Sequence, residues 1–195
     1  MDPGPAARAT PLELNLVGRS LVLVAGIPGA GKSTLLTRLT PRDGLVVLDS
    51  EQPRAMIRDA LARIGLADTV PYPLYRPLVH LWHRAAVIRA VLGPAATVVV
   101  HLPATSIETR AAVARLAAWA GRTAHLVWLD VPPHEALAGQ RARGRTVCTF
   151  SFARHVAHGQ VTSAQLQAGD RPRGWATVTV LDRSAAARGL HLKTQ

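Results

Sequence analysis

The chain has 195 residues, 48% hydrophobic and 18% charged, which suits one folded domain with its own core and excludes a disordered polypeptide. Its formal net charge of +11 favours anionic partners, but nearly every basic residue is an arginine, the arginines are scattered, and aromatics reach only 4%. Nucleotides and other small anions are therefore favoured over nucleic acid, and the lone Cys148 excludes an internal disulfide or a paired-cysteine metal site.

Residues 1–17, with prolines at 3, 5 and 11, read as a flexible segment. They lack the apolar core of a signal peptide, and no later stretch reads as a membrane span, so a cytoplasmic location is expected. Residues 20–25 (SLVLVA) form a buried strand, followed by a glycine loop and a helix over about 32–40. A turn at Pro41-Arg42-Asp43-Gly44 leads to a second strand at 45–48 and a helix over 53–64 with proline at its start. Pro71 and Pro73 mark a loop before a helix over about 77–92. The third strand is 97–101, and Ser106 opens the next helix with Glu108 at its positive end. The fourth strand is 124–129 and the following helix 133–144. A basic stretch to about residue 173 holds one or two helices, and the fifth strand is 176–181. Apolar strands alternating with helices imply an α/β doubly wound parallel sheet.

Residues 26–33 fit G-x-x-x-x-G-K-[ST]: Gly26, Ile27, Pro28, Gly29, Ala30, Gly31, Lys32 and Ser33, with Thr34 following. A strand runs into the loop and a helix opens behind it, which is the context this motif requires. Glycines let backbone N–H groups approach phosphate oxygens, and the helix start adds its dipole. Lys32 is placed for the β- and γ-phosphates of ATP and the Ser33 hydroxyl for Mg²⁺.

With these residues the sequence resembles the small P-loop kinases that include polynucleotide kinase, zeta toxins and gluconate kinase-like enzymes, often labelled AAA-family ATPases. The resemblance covers roughly residues 21–182 and implies a five-stranded sheet of order 2-3-1-4-5, in a domain over 18–195 with a basic lid at about 139–173. It implies that the acid at the second strand end activates an acceptor hydroxyl and that an arginine follows three positions later. Glu51 and Arg54 hold those positions, in Leu48-Asp49-Ser50-Glu51-Gln52-Pro53-Arg54. Asp49 is an alternative base and a candidate Mg²⁺ partner. The stretch AGQRARGR at 138–145 resembles the lid, with Arg143 before Gly144 as the phosphoryl clamp and Arg141 and Arg145 as its neighbours. One departure stands out. The third strand ends in His101 where many relatives carry an aspartate, and a neutral imidazole cannot replace that carboxylate opposite Mg²⁺.

His80 and His83, and again His155 and His158, have helical spacing but no acidic or thiol partner at ligand spacing, so ordinary histidines are expected there. Trp119, Trp128 and Trp175 read as packing residues. Tyr72, Tyr75 and Arg76 are expected in a loop on the acceptor side, Asp182 and Arg183 near the adenine position of the resembled kinases, and Asp130 as a support for the Pro132-Pro133 turn. The expected function is Mg-ATP-dependent transfer of the γ-phosphate to a hydroxyl acceptor. An ATP-binding switch or slow ATPase is the first alternative, and a nucleic-acid-binding protein with a regulatory nucleotide site the second.

Overall fold

The computed structural model describes residues 11–142 and 148–194. Five parallel strands form the central sheet: β2 (Ser20–Gly26), β3 (Leu45–Leu48), β4 (Thr97–His101), β5 (Thr123–Leu129) and β6 (Thr177–Leu181), in the spatial order β3-β4-β2-β5-β6. Numbered among themselves, these strands have the expected order 2-3-1-4-5. The sequence pattern explains their burial: β2 is buried at every position, so it sits at the centre with neighbours on both edges and helices on both faces. Alternation then sorts the side chains. Val22, Val24, Val99, Val127 and Leu129 join the core on one face, and Leu21, Leu23, Val98, Val100, Leu126 and Trp128 the core on the other.

The helices follow the strands as crossovers require. They are α1 (Lys32–Leu36), α2 (Glu51–Arg63), α3 (Tyr72–Leu92), α4 (Ile107–Trp119), α5 (Pro133–Arg141), α6 (Thr149–Gln167) and α7 (Arg183–Arg188). The N-cap Ser106 of α4 accepts the Thr109 N–H at 3.3 Å, as expected of a short hydroxyl before a helix. Among the described residues the basic stretch after α5 contributes one helix, α6.

Four local expectations need correction. Part of the segment read as flexible forms strand β1 (Leu12–Leu16), which pairs in parallel with β7 (Leu190–Thr194) in a second, two-stranded sheet. The cause is burial: Leu14 and Leu16 alternate into the core beside Leu190 and Leu192. Helix α3 starts at Tyr72, five residues early, so Tyr72, Tyr75 and Arg76 are helical; Pro73 falls in its first turn, where a missing N–H costs nothing, and Pro77 is carried inside the helix. Helix α5 ends at Arg141 and α1 at Leu36, both earlier than expected. Trp119 is exposed at the end of α4, whereas Trp128 and Trp175 are buried as expected. Among the described residues no helix is long and apolar enough to cross a membrane.

Candidate functional site

The phosphate loop hangs from the carboxyl end of the most buried strand. Gly26 closes β2 at φ +140°, where an added Cβ would lie 2.7 Å from the Leu129 carbonyl oxygen of β5. Gly29, at φ +91°, lies so close to the Ala136 carbonyl of α5 that a Cβ would collide with it. Gly139, also in α5, packs against the Gly29 carbonyl at a separation a side chain would close to 2.8 Å. Gln140 donates its side-chain N–H to the Pro28 carbonyl at 3.0 Å, and Arg183 reaches Gly29 O at 3.4 Å while pairing with Glu135 at 3.0 Å. Helix α5 and the start of α7 thus clamp one side of the loop.

Among the described residues the other side of the loop is open at Gly31. Gly31 has φ +100°, and an added Cβ there would meet nothing within 4 Å, which leaves its backbone approachable by a phosphate. Lys32 is buried, and its ammonium donates to the carbonyls of Gly26 and Ile27, each at 2.8 Å. The loop therefore holds a compact, desolvated cation against its own backbone, and α1 begins at that same residue. These features fit the phosphates of ATP.

Beyond the loop the strand ends bring together an acidic and an imidazole side chain. Asp49, after β3, accepts from His101 Nδ1 at 2.8 Å and from the Glu51 N–H at 3.3 Å, and it hydrogen-bonds the Ser33 hydroxyl. Burial of Asp49 opposes its ionisation, but these partners outweigh burial and hold its carboxyl down to about 2. Burial pushes the His101 imidazole below its usual range against the pull of Asp49, and the nearby Lys32 charge pushes the same way as burial. The ring donates its Nδ1–H to the charged carboxylate. An oxygen pair, Ser33 and Asp49, stands next to the phosphate loop, and hard oxygens suit Mg²⁺. His101 does not supply a third oxygen; it fixes Asp49 instead.

Glu51 is the first residue of α2, two positions from Asp49, and its charge acts on the same His101 imidazole. Arg54 lies one turn further on, 4.0 Å from the Glu51 carboxylate, and its guanidinium covers the Tyr72 ring at 4.3 Å from the centroid. Tyr72 meets Tyr75 edge to face. Asp49, Glu51, Arg54 and the start of α3 therefore share one end of the crevice. Arg141 is exposed at the end of α5, and Arg143 and Arg145 lie outside the described residues.

The histidine pairs are split by their surroundings. His83 is buried and bonds the His101 carbonyl at 3.2 Å, whereas His80 sits beside Arg76 on the exposed side. His155 shares a 2.8 Å hydrogen bond with Thr105, in the β4–α4 loop, and Lys32 is among the charges that lower its proton affinity. Among the described residues no cluster of three or more His, Cys, Asp or Glu forms a metal cage. Asp130 accepts from Ser163 at 2.6 Å and Gln167 at 2.7 Å, tying α6 to the end of β5. Asp182 caps α7 by accepting the Ala185 N–H at 2.6 Å.

Gln140, Gly139 and the Thr105–His155 contact escaped sequence reasoning. Only the small Gly139 before Gln140 carried a signal, because close approach of a helix to a loop needs a residue without Cβ. Thr105 and His155 are 50 positions apart, and no local pattern links them.

The fold has counterparts among solved structures. A chain from the PezAT toxin–antitoxin system of Streptococcus pneumoniae matches with a TM-score of 0.58 at 12% identity, covering 91% of this chain and 72% of that one. A candidate kinase from Chloroflexus aurantiacus matches with a TM-score of 0.52 at 16% identity, covering 84% of each chain. A gluconokinase from Sinorhizobium meliloti is a more distant match, at TM-score 0.49, 17% identity and coverage of 87% and 88%. No curated protein sequence matches. The model of the AAA domain family matches residues 21–170, a span that holds the loop, both strand-end carboxylates and α5, and so the protein belongs to the AAA domain family and has the fold of the small P-loop kinases.

Proposed function

We propose that the protein is a phosphotransferase that moves the γ-phosphate of Mg-ATP to a hydroxyl group of an acceptor. The observation that carries this reading is the convergence of Lys32, Ser33, Asp49 and Glu51 at the carboxyl ends of β2 and β3, the side of an open α/β sheet where ligands sit. Bound Mg-ATP supplies the activated phosphoryl group and the divalent charge that offsets its oxygens. Every other part falls to this chain's residues.

Ser33 and Asp49 hold the metal. Asp49 suits that task better than proton abstraction, because its charge is fixed by His101, Ser33 and the Glu51 N–H. Glu51 is then the general base: it is half-exposed at the start of α2 and accepts the proton of the attacking hydroxyl. Lys32 shifts from the Gly26 and Ile27 carbonyls onto phosphate oxygens, exchanging neutral acceptors for charged ones. Arg54 stands on the acceptor side. Arg143, with Arg141 and Arg145, is proposed from the sequence as the clamp on the migrating group.

A second reading has one observation in its favour. His101 occupies the strand end where a carboxylate would complete the metal shell, and a site short of one oxygen suits a slow ATPase or nucleotide switch. Incubating the protein with a metabolite extract and γ-labelled ATP, followed by mass spectrometry, separates the two. Label in an organic product supports transfer. Label only in inorganic phosphate supports the switch and sinks the kinase reading. Salt-sensitive retention of RNA or DNA, with neither product, would instead favour a nucleic-acid-binding protein.

A further inference from the structure

Helix α3 carries its core contacts on one face only: Val79, His83, Val87 and Val91 are buried. At about 100° per residue the opposite face is Leu74, Leu78, Leu81, Ala85, Ile88 and Leu92. These six recur at intervals of four, three, four, three and four residues, the spacing of a helix that packs against another helix. Among the described residues none of the six is buried. The five large ones are between 47% and 72% exposed, and Ala85 is exposed as well.

The pattern is also its own mirror. About position 83 it pairs Leu74 with Leu92, Leu78 with Ile88, and Leu81 with Ala85. A two-fold axis requires one surface to complement itself, and here an antiparallel second copy of α3 meets a leucine-sized residue at the outer positions. At the centre the small Ala85 receives Leu81. Trp82 and Arg84 project from opposite flanks of the seam, and a two-fold axis sets each flank against its own copy, so Trp82 meets Trp82 and Arg84 comes level with Arg84 of the second chain, a like-charge pair that salt screens. The seam runs about 27 Å at 1.5 Å per residue. With Trp82 it leaves on the order of 600 Å² of side chain in water, close to the roughly 800 Å² per partner of a standard interface.

We infer that α3 is a homodimer interface, in which the Leu74, Leu78, Leu81, Ala85, Ile88 and Leu92 face of one chain packs antiparallel on the same face of a second copy. This surface points away from the sheet and is independent of the phosphotransfer reading. Each chain carries a net charge of +11, so the copies repel at long range, and salt screens that repulsion. Self-association therefore tightens as salt rises, opposite to binding of a polyanion or an anionic membrane.

The test is sedimentation equilibrium of the full chain across micromolar concentrations at about 0.05 and 0.5 M salt, a range over which screening changes several-fold. The expected result is a dimer for the wild type, favoured by salt, and a monomer for Leu81→Glu and for Ile88→Lys. Both changes lie on the exposed face, so circular dichroism and Mg-ATP binding should match the wild type; at least one variant must pass that control. In a Cys148→Ser background, mixing Leu78→Cys with Ile88→Cys chains should yield the mixed disulfide and little of either self-pair. A wild type that stays monomeric throughout overturns the inference, as does a dimer that survives both substitutions. Disulfides joining two Leu78→Cys chains to each other would refute the antiparallel register. Binding of the monomer to phosphatidylserine vesicles, lost in Leu81→Glu, would assign the face to a lipid surface instead.

Discussion

The two sides of the crevice are built differently. On the donor side, every residue of β2 is buried, Lys32 is buried behind it, and α5 closes on the loop through Gly29, Gln140 and Glu135. On the acceptor side, α2 buries only Pro53 and Ile57 of its 13 residues, and α3 only four of its 21. The donor half is an extension of the core, so its geometry is set by packing that a single substitution disturbs. The proposed acceptor half buries few of its side chains, so exposed substitutions there cost the fold little. The phosphate loop is therefore explicit in this chain, while the proposed acceptor would meet partly buried residues such as Arg54 and Tyr75.

The contrast can be broken at its strongest point first. Lys32→Ala should remove Mg-ATP binding at millimolar ligand and with it turnover, as measured by calorimetry and phosphate release. Next comes the chemistry at the border between the halves. Glu51→Gln should slow transfer by about 10²- to 10⁴-fold with nearly unchanged ATP affinity. Asp49→Asn should instead weaken the Mg²⁺ dependence. If both variants keep full transfer to the true acceptor, the base assignment is wrong.

A smaller effect tests the clamp on the loop. Gly29→Ala places a Cβ at φ +91° against the Ala136 carbonyl, and should destabilise the fold by about 1–3 kcal/mol. Gly31→Ala has the same kind of φ but open space around it. It should cost less stability in urea titrations yet impair phosphate binding more. Equal behaviour of the two variants would deny the asymmetry.

The smallest predicted effect is a pH dependence of stability. Burial lowers the proton affinity of His83, His125 and His155 in the folded chain. Above about pH 6.5, the unperturbed histidine value, both folded and unfolded chains hold these rings neutral and stability is at its full value. Below it the unfolded chain takes up protons that the folded chain resists, so stability falls as pH drops from 6.5 towards the lowered folded values. Thermal melts between pH 7.5 and about 5.5 should show a shallow fall in Tm; a rise would contradict the burial of these rings.

Much of the donor half was legible in the sequence because its physics is local. A continuous apolar strand, glycines and a lysine at fixed offsets specify a loop that folds the same way wherever the run occurs. The five strands followed from apolar runs alternating with helices, and their order from the resemblance that the phosphate loop and the motifs beside it carry. Strand β1 was hidden because its partner, β7, lies at the far end of the chain, and its leucines are too few to distinguish a strand from a proline-rich segment. The Asp49–His101 bond joins residues 52 positions apart. The sequence showed His101 as a missing carboxylate; only the packing of β3 beside β4 shows that it holds the carboxylate that remains.

The most direct measurement is a calorimetric titration of Mg-ATP into the wild-type chain, repeated without Mg²⁺ and with Lys32→Ala. The expected result is one site per chain, weakened without the metal and lost with the lysine. Absence of heat with the intact protein at millimolar Mg-ATP, or equal affinity in Lys32→Ala, would contradict nucleotide binding by this loop.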